Sequence, residues 1–329
     1  MEIINTKAEY DVLGIGSALL DFIVPVSDAD LDAFGLRKGG MLLIDEKRSR
    51  EILASLEGRA MEIAPGGSSA NTLAGISALG GRGIFLGAVG NDPHGDRYIR
   101  DTERSGVTTV IGRHDRMTGH AITFITPDFE RTFATHLGAA LQLNRDDVRE
   151  DFIKNSKIIH IEGYLFEPPG LVDACMRALE LAKKSGVLVS IDLSDPSLIE
   201  RIRPTFEKVA RKYADIIFVN EDEARVFTGR EREEALDRLS RYCDFAVVKL
   251  GQAGSLIKSG GVIHSIPAYR TDVVNTNGAG DMYAAGVLYG IAGGLSPERA
   301  GMIGSYVSSK VVSQAGARLS GRLSPNAIP

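Results

Sequence analysis

Short apolar segments alternate with helix-like segments along most of the chain. The apolar runs are rich in Ile and Val, several lack polar alternation, and they cover residues 10–15, 83–89, 157–161, 187–193, 215–219 and 244–250. Such runs are typical of parallel strands that are covered on both faces. Helix-like segments lie at residues 70–79, 171–185 and 231–242. The alternation predicts a three-layer α/β/α sandwich with a mostly parallel central sheet.

Two stretches, residues 22–44 and 118–137, depart from this rhythm. Both have an extended or irregular pattern, and the second contains a Pro127-Asp128 turn between two extended runs. We expect the two stretches to form one small β-rich lid over the main sheet, although ordinary edge strands would give the same pattern. The whole chain, residues 1–329, is then a single α/β domain into which the lid is inserted.

Composition excludes several classes of protein. Hydrophobic residues make up 43% and charged residues 25% of the 329 residues, which excludes extensive disorder. Lys and Arg total 38 against 43 Asp and Glu, so the net charge of −5 gives no reason to expect binding to nucleic acid or to a membrane. The only cysteines, Cys175 and Cys243, fit a reducing compartment. Without a secretory signal or a membrane-spanning run, we expect a cytoplasmic protein.

The strongest chemical pattern is the run from Asn275 to Asp281 (NTNGAGD), which precedes a small, apolar, helix-like stretch at residues 282–290. Glycine lets the backbone approach a ligand closely, and the unpaired N–H groups at a helix start favour an anion. A phosphoryl group in transit fits such a cradle, and Asp281 could accept a proton from an attacking hydroxyl. The alternative interpretation is that Asp281 caps the helix.

Three further turns carry glycine or paired polar residues. Residues 66–71 (GGSSAN) suit a polar ligand held by backbone N–H groups and one side-chain amide. Asn220 and Glu223 share one helix face and could point together at a hydrated cation or phosphate. Another strand leaves through a turn that contains Gly251 and Gly254. Each also has a plain structural interpretation, as a tight turn or as acidic residues that complement a helix dipole.

Other nucleotide and hydrolase motifs are absent from the sequence. No Gly-Lys pair exists, which excludes a Walker A loop. The Gly14-Ile15-Gly16 turn lacks the third glycine of a dinucleotide-binding fingerprint, because position 19 is Leu. A Gly-x-Ser-x-Gly elbow is also missing, so an α/β-hydrolase would have no nucleophile.

Together and in this order, the turns resemble the ribokinase-like (PfkB) family of sugar and nucleoside kinases over nearly the whole chain. Residues 66–81 are similar to the family's first signature, and residues 275–281 to its second, usually written Asp-Thr-x-Gly-Ala-Gly-Asp. Asn220 and Glu223 match its Asn-x-x-Glu element. The resemblance implies a ribokinase-like fold and ATP-dependent phosphorylation of a primary hydroxyl.

The resemblance also implies a role for each site residue. Asp281 is the general base, and the amides of Gly278, Ala279 and Gly280 form an anion hole for the γ-phosphoryl group. Arg131 takes the place of a lid arginine near that group, unless it is a surface cation of a hairpin. Mg²⁺ is held largely through water by Asn220 and Glu223, and ATP is held by Asn220, Glu223, Gly251 and Gly254. Lys249 departs from the family, in which a Thr is common at this position; its charge would suit the ATP phosphates, unless the side chain points to solvent.

The sequence departs from the family pattern at Asn275. Relatives have an aspartate there, and that position belongs to a monovalent-cation site beside the anion hole. Because Asn275 lacks the formal charge, activation by K⁺ becomes an open question. The proposed base, Asp281, is unaffected by the change.

The substrate side of the resemblance centres on Asp21, which in this family accepts hydrogen bonds from sugar hydroxyls. With Gly66, Gly67 and Asn71 it would hold a vicinal diol. Residues 118–139 are similar to the lid and substrate strands of bacterial adenosine kinases. A purine needs apolar walls, which the lid could supply from Met41, Phe133 and Leu137, although each also fits ordinary core packing. His120 and His136 are interpreted as structural.

The hypothesis is therefore an ATP- and Mg²⁺-dependent kinase that acts on the 5′-hydroxyl of a purine nucleoside, adenosine in the first place. A kinase for ribose, fructose or a keto-deoxy sugar acid is the alternative. A catalytically silent relative that binds a nucleoside as a sensor is a more remote one. The expected partners are ATP and the small acceptor molecule, without nucleic acid or membrane, in a monomer or homodimer.

Overall fold

The computed structural model describes residues 7–128, 130–319 and 321–324. The strands are β1 (Tyr10–Ile15), β2 (Leu19–Pro25), β3 (Met41–Leu43), β4 (Glu62–Pro65), β5 (Gly83–Gly90), β6 (Thr108–His114), β7 (Gly119–Ile125), β8 (Arg131–His136), β9 (Ser156–Glu162), β10 (Leu188–Asp192), β11 (Ile216–Asn220), β12 (Phe245–Lys249), β13 (Ser255–Ser259) and β14 (Val262–Ile266). The helices are α1 (Asp28–Ala33), α2 (Glu46–Ser55), α3 (Ser68–Ala78), α4 (Pro93–Arg104), α5 (Glu150–Lys154), α6 (Pro169–Ser185), α7 (Pro196–Tyr213), α8 (Glu221–Thr228), α9 (Arg232–Leu239), α10 (Ala279–Ala292) and α11 (Pro297–Val312).

The main sheet confirms the prediction of a mostly parallel central sheet. Its strand order is β14-β13-β12-β11-β10-β9-β1-β5-β6, and every pair from β12 to β6 is parallel. Strands β13 and β14 add an antiparallel edge. Along the chain, β5 and β6 add to one side of β1, and β9 later adds to the other side of β1. The carboxyl ends of β1 and β9 therefore form a topological switch point, where open α/β sheets bind ligands.

Both faces of this sheet are buried, which explains the runs without polar alternation. Consecutive side chains of one strand point to opposite faces. In β1, Val12 belongs to the hydrophobic cluster that includes residues of the lid, α3 and α10, whereas Leu13 belongs to the cluster that includes residues of α6 to α9. Ile216 and Ile217 of β11 divide in the same way. Each strand thus needs apolar residues at nearly every position. Among the described residues, none of the helices has the length and apolar character of a membrane span.

The second sheet is the lid. Its order is β3-β8-β7-β2-β4, and β2 follows β1 after only a short link. The expected lid ranges, 22–44 and 118–137, included β3, β7, β8 and the second half of β2. They left out the start of β2 and the whole of β4, whose residues 62–65 pair with β2. The lid sheet is therefore larger than the sequence pattern indicated, and it leads through β4 directly into the glycine-rich turn at residues 66–71.

Helices α10 and α11 pack against each other through glycine. A Cβ placed on Gly286 would lie 2.5 Å from the Cα of Gly304, and one on Gly290 would lie 2.7 Å from the Cα of Ala300. These separations are far below ordinary contact distances, so the two backbones touch where side chains are missing. The close contact fixes the axis of α10, which carries the Asn275–Asp281 turn at its start.

We predict that Gly286→Ala destabilises the protein by about 1–3 kcal/mol, because the added methyl group must push the two helix backbones apart. Gly170→Ala is the matched control, since a Cβ at Gly170 in α6 meets nothing within 4 Å. That substitution should be neutral or slightly stabilising, as alanine favours helix more than glycine does. Urea unfolding measures both, and equal stability of the two variants would contradict the prediction.

Candidate active site

Two glycine-rich turns meet where α3 and α10 begin. Gly67 caps the start of α3 with φ = +88°, and Gly278 caps the start of α10 with φ = +75°. A Cβ on Gly67 would collide with the Ser17 carbonyl, and one on Gly278 would lie 2.5 Å from the carbonyl oxygen of Ala317. Both positions therefore require glycine, for conformation and for space. The first turns of the two helices face each other as a result.

Asp281 lies in the first turn of α10 and is half-buried. Its Oδ1 accepts a hydrogen bond from Ser68 Oγ at 2.7 Å, and its Oδ2 accepts one from Asn71 Nδ2 at 2.9 Å. No side-chain cap bond forms at the start of α10, so the interpretation of Asp281 as a helix cap is wrong. Each carboxylate oxygen can accept a second hydrogen bond. The group is thus oriented by α3 and still able to accept a proton.

Burial raises the pKa of Asp281, while the hydrogen bonds from Ser68 and Asn71 lower it. The nearby carboxylate of Asp192 also raises the pKa, and Lys249 lowers it; the net result is a pKa above the ordinary aspartate value. A carboxylate with a raised pKa binds a proton more readily, which is what a general base near neutral pH requires.

Lys249, at the end of β12, places a positive charge beside the start of α10. Its Nζ donates to Asp192 Oδ2 at 2.8 Å and lies 3.3 Å from the point that a Cβ on Gly280 would occupy. Burial lowers the pKa of Lys249, but the Asp192 and Glu223 carboxylates raise it above its usual value. The ammonium therefore stays charged near the helix start, where an anionic phosphate would bind.

One of the three amides of the predicted anion hole already has a hydrogen-bond partner within its own turn. The N–H of Ala279 donates to the Thr276 carbonyl at 3.2 Å, so this amide is engaged within the turn. Gly278 and Gly280 flank it at the start of α10. The assignment of all three amides to a bound phosphoryl group stays a prediction.

Asn220 and Glu223 contact each other at the start of α8. The Asn220 side chain accepts from the Glu223 N–H at 2.9 Å, and the two Glu223 oxygens accept from the Asn220 N–H and Nδ2 at 2.8 and 2.7 Å. Burial raises the pKa of Glu223. This arrangement is a capping box, a structural role different from the complement to a helix dipole that the sequence pattern suggested. No group of three or more metal-ligating side chains occurs within the described ranges. The oxygens retain acceptor capacity, which suits Mg²⁺ held through water rather than directly.

The turn after β12 carries the two glycines assigned to ATP. Gly251 has φ = +55° and open space where a Cβ would stand, whereas a Cβ on Gly254, at φ = +89°, would strike the Ile266 carbonyl. Gly254 is therefore required by packing, and Gly251 leaves one side of the turn open to a ligand. Their contact with ATP stays a prediction.

On the substrate side, Asp21 of β2 faces the turn at Gly66. A Cβ on Gly66 would lie 2.7 Å from Asp21 Oδ2, so only glycine leaves room for the carboxylate. Burial raises the pKa of Asp21 to about 6, although the charges of Arg318 and Arg131 lower it. Asp21 lines a cavity of about 250 Å³ together with Arg131, Arg318 and Asn277. Arg131 therefore faces the same cavity as Asp21, whereas its place beside the transferred phosphate stays a prediction.

The structure does not bring the three predicted purine-contacting residues to this cavity. Met41 lies on the edge strand β3 and is 57% exposed. Phe133 lies opposite it on the neighbouring strand β8. Leu137 follows β8, and none of the three lines the cavity. A larger cavity of about 720 Å³, at the opposite end of β1 and β5, contains none of the predicted site residues.

The two lid histidines have structural contacts. His120 Nδ1 donates to the Thr118 carbonyl at 3.0 Å, which leaves Nε2 to accept from Ser49 Oγ at 2.6 Å. Burial lowers the pKa of His120 to about 4, so the ring is neutral at physiological pH. His136 Nδ1 lies 3.2 Å from the Ile44 carbonyl. These contacts support the interpretation of both histidines as structural.

Glu162 and Arg318 are among the residues of the site that have no counterpart in the sequence-based assignment. Glu162, at the carboxyl end of β9, is 2% exposed and accepts hydrogen bonds from the Ser17 and Ser69 amides at 2.8 and 3.0 Å. It ties the link between β1 and β2 and the turn at residues 66–71 to the sheet, and its place after an apolar strand could have indicated it. Arg318 reaches the site from the segment after α11, where no pattern in the sequence marks it.

Comparison with known proteins places this geometry among kinases. Residues 41–322 match the model of the pfkB family carbohydrate kinases. The fold is similar to adenosine kinase from Sinorhizobium meliloti (37% identity, 97% of this chain and 98% of that one, TM-score 0.89). A probable sugar kinase protein from Rhizobium etli is comparably similar (35%, 97% and 98%, TM-score 0.89). The 5-dehydro-2-deoxygluconokinase of Bacillus subtilis is 30% identical over 76% of this chain and 81% of its own length.

We predict that Asp21→Asn stabilises the protein by about 1–3 kcal/mol near pH 7 while it weakens acceptor binding. Because the pKa of Asp21 is raised in the folded state to about 6, ionising this carboxyl costs stability as the pH rises from about 4 to above 6. Asparagine avoids that cost. The advantage should therefore shrink as the pH falls toward 4, where Asp21 is protonated.

Denaturant unfolding at several pH values measures the difference. Asp115→Asn, at an exposed position, is the control and should show no such trend. A stability gain that is independent of pH, or a loss at pH 7, would contradict the prediction.

Proposed function

The chain belongs to the pfkB family of carbohydrate kinases, phosphotransferases with an alcohol group as acceptor, and from that premise we propose that it phosphorylates the 5′-hydroxyl of adenosine with ATP. The observation that carries the proposal is the position of Asp281, oriented by Ser68 and Asn71 at the start of a helix. Likeness to an adenosine kinase over nearly the full length of both chains supports the nucleoside as acceptor.

In the proposed reaction, Asp21 accepts hydrogen bonds from the ribose hydroxyls and the acceptor oxygen lies beside Asp281. Asp281 takes the proton of that hydroxyl as the oxygen attacks the γ-phosphorus, and ADP leaves. The start of α10 and the Lys249 ammonium stabilise negative charge on the transferred group. Mg²⁺, held through water at Asn220 and Glu223, would neutralise phosphate charge when bound. Arg131 of the lid reaches the cavity that holds the acceptor.

A sugar acid is the second candidate acceptor. Arg131 and Arg318 both line the 250 Å³ cavity, and guanidinium groups pair well with a carboxylate. Of the described residues that line the cavity, none has an aromatic ring on which a purine could stack. The B. subtilis relative, whose name denotes a kinase for a keto-deoxy sugar acid, agrees with this alternative.

A panel of acceptors with ATP and Mg²⁺ separates the two, with ADP release as the readout. The proposal expects the highest kcat/KM for adenosine, against inosine, ribose, fructose and 5-dehydro-2-deoxygluconate. Turnover of the sugar acid without turnover of adenosine would establish the second candidate and contradict the first. Tight adenosine binding without ADP release would identify a silent, nucleoside-binding relative.

Asp281→Asn should retain the fold and lose about 10²–10⁴ in kcat, because the amide cannot take the hydroxyl proton. Asparagine can still accept at Oδ1 from Ser68, but its amide nitrogen would face the Asn71 donor and lose that hydrogen bond. Asp272→Asn, at an exposed position of the preceding loop, is the control with normal turnover. Near-normal turnover of Asp281→Asn would refute the assignment of the base.

We also expect turnover to be independent of K⁺. Asn275 Nδ2 donates to the Gly316 carbonyl at 3.1 Å, and its Oδ1 accepts from the Asn277 N–H at 2.9 Å. The amide thus satisfies both neighbours without a cation. Replacing K⁺ by Na⁺ should leave kcat/KM unchanged.

Asn275→Asp is the matched variant for this prediction. A carboxylate cannot donate to the Gly316 carbonyl, so two acceptors would face each other and attract a cation. This variant should gain a dependence on K⁺. Loss of wild-type activity in Na⁺ would contradict the expectation.

A further inference from the structure

The segment that follows α11 crosses the start of α10. The Val274 N–H donates to the Val312 carbonyl at 2.8 Å, and the Gly316 carbonyl accepts from Asn275. The Ala317 carbonyl lies against Gly278, where a side chain could not fit. Beyond the site, the Leu323 N–H donates to the Ala78 carbonyl at 2.8 Å. The segment is therefore attached on both sides of Arg318, whose side chain enters the active site between these anchors.

The Arg318 side chain donates hydrogen bonds to the first glycine-rich turn, residues 66–71. Its Nε donates to Asn71 Oδ1 at 2.9 Å, and its Nη2 donates to the Gly66 carbonyl at 3.1 Å. The Tyr98 hydroxyl donates to the same carbonyl at 3.3 Å. Asn71 in turn donates from Nδ2 to Asp281 Oδ2 at 2.9 Å. Arg318, Asn71 and Asp281 thus form a continuous chain of hydrogen bonds.

We propose that Arg318 is a positioning residue, which fixes the Asn71 amide and through it the carboxylate of Asp281. The proposal rests on the proposed function, in which Asp281 is the base. It gives the segment after α11 a part in the reaction, because the hydrogen-bond chain is incomplete without it.

The chemistry of the three groups gives the chain one direction. A guanidinium only donates hydrogen bonds, and an ionised carboxylate only accepts them. The Asn71 amide between them must turn its oxygen to Arg318 and its nitrogen to Asp281. Without Arg318, the amide would lose the contact that selects this orientation. A rotated amide would point its oxygen at the carboxylate, and two acceptors in contact repel each other.

Charge supports the same role. Arg318 lies close enough to Asp21 and Asp281 for its positive charge to favour ionisation of both. The other charged groups around Asp281 are Asp192, Lys249, Asp21 and Glu162, and they stay in place when Arg318 is replaced. Removal of Arg318 should therefore raise the pKa of Asp281 through both the lost charge and the weakened Asn71 hydrogen bond.

A double-mutant cycle tests the proposal directly. Arg318→Ala and Asn71→Ala should each lower kcat by about 10–10² fold, the usual effect of a misplaced catalytic group. On the alkaline plateau of the pH profile, where Asp281 is ionised in every variant and the lost charge has no effect, the double variant should lose no more than Asn71→Ala alone, because Arg318 acts through Asn71. Arg322→Ala, four positions further along and exposed, is the control with normal kcat.

Two further readouts separate positioning from packing. The acid limb of the kcat/KM profile should move to higher pH in Arg318→Ala, and guanidinium at non-denaturing concentration should restore part of its kcat. Arg318→Lys should not restore it fully, because an ammonium lacks the fork that reaches Asn71 and Gly66 together. If the role of Arg318 were purely structural, Arg318→Ala would lower thermal stability, the pH profile would not move, and guanidinium would restore no kcat.

Three results would overturn the proposal. They are a loss of kcat in the double variant equal to the product of the two single losses, an unshifted pH profile in Arg318→Ala, and an unchanged kcat in Arg318→Ala. A rise in kcat/KM would also overturn it, since the segment would then obstruct the site. The two proposals fail separately. A wild-type protein that phosphorylates no acceptor overturns both, whereas an active wild type with an equally active Arg318→Ala overturns only this one.

Discussion

The constraint on which this site depends is a half-buried carboxylate, Asp281, that must stay able to accept a proton in the proposed reaction. Burial raises the pKa of Asp281, and the structure limits that rise with the hydrogen bonds from Ser68 and Asn71 and with the charge of Lys249. The donors come from a helix other than α10, so the carboxylate is held from outside its own turn. Both oxygens keep capacity for one more hydrogen bond. The balance leaves a carboxylate that is oriented, partly shielded from water and able to serve as the proposed base.

The fold supplies these groups from distant parts of the sequence. Four neighbouring parallel strands, β9 to β12, each end in a residue of the site: Glu162, Asp192, Asn220 and Lys249. These carboxyl ends lie on the same edge of the sheet as the topological switch point at β1 and β9. Helices α3 and α10 begin at the same edge, each after a glycine that no other residue could replace. The lid approaches from the other side with Asp21, and the segment after α11 adds Arg318. Neighbouring strands, two helix starts, the lid and the segment after α11 thus contribute to one site.

The sequence predicted what depends on short-range patterns. Uninterrupted Ile and Val runs indicated the parallel sheet, and the glycines at 278 and 280 indicated a helix start open to an anion. Residues 62–65 pair as β4, yet a four-residue segment that ends in Pro65 carries little periodic pattern. Asn220 and Glu223 do share a helix face, but only the structure shows that they bind each other. Met41 gave no indication of its exposure, and Arg318 reaches Asn71 across 247 positions, a contact that no local pattern encodes.

The most direct test of the account is a crystal structure with adenosine and a non-hydrolysable ATP analogue bound together. The account predicts the 5′-oxygen of adenosine within hydrogen-bond distance of an Asp281 carboxylate oxygen. It also predicts the terminal phosphate at the start of α10, close to Lys249, on the far side of that oxygen from Asp281. An acceptor hydroxyl that is bound elsewhere, with Asp281 contacting only Ser68 and Asn71, would contradict it.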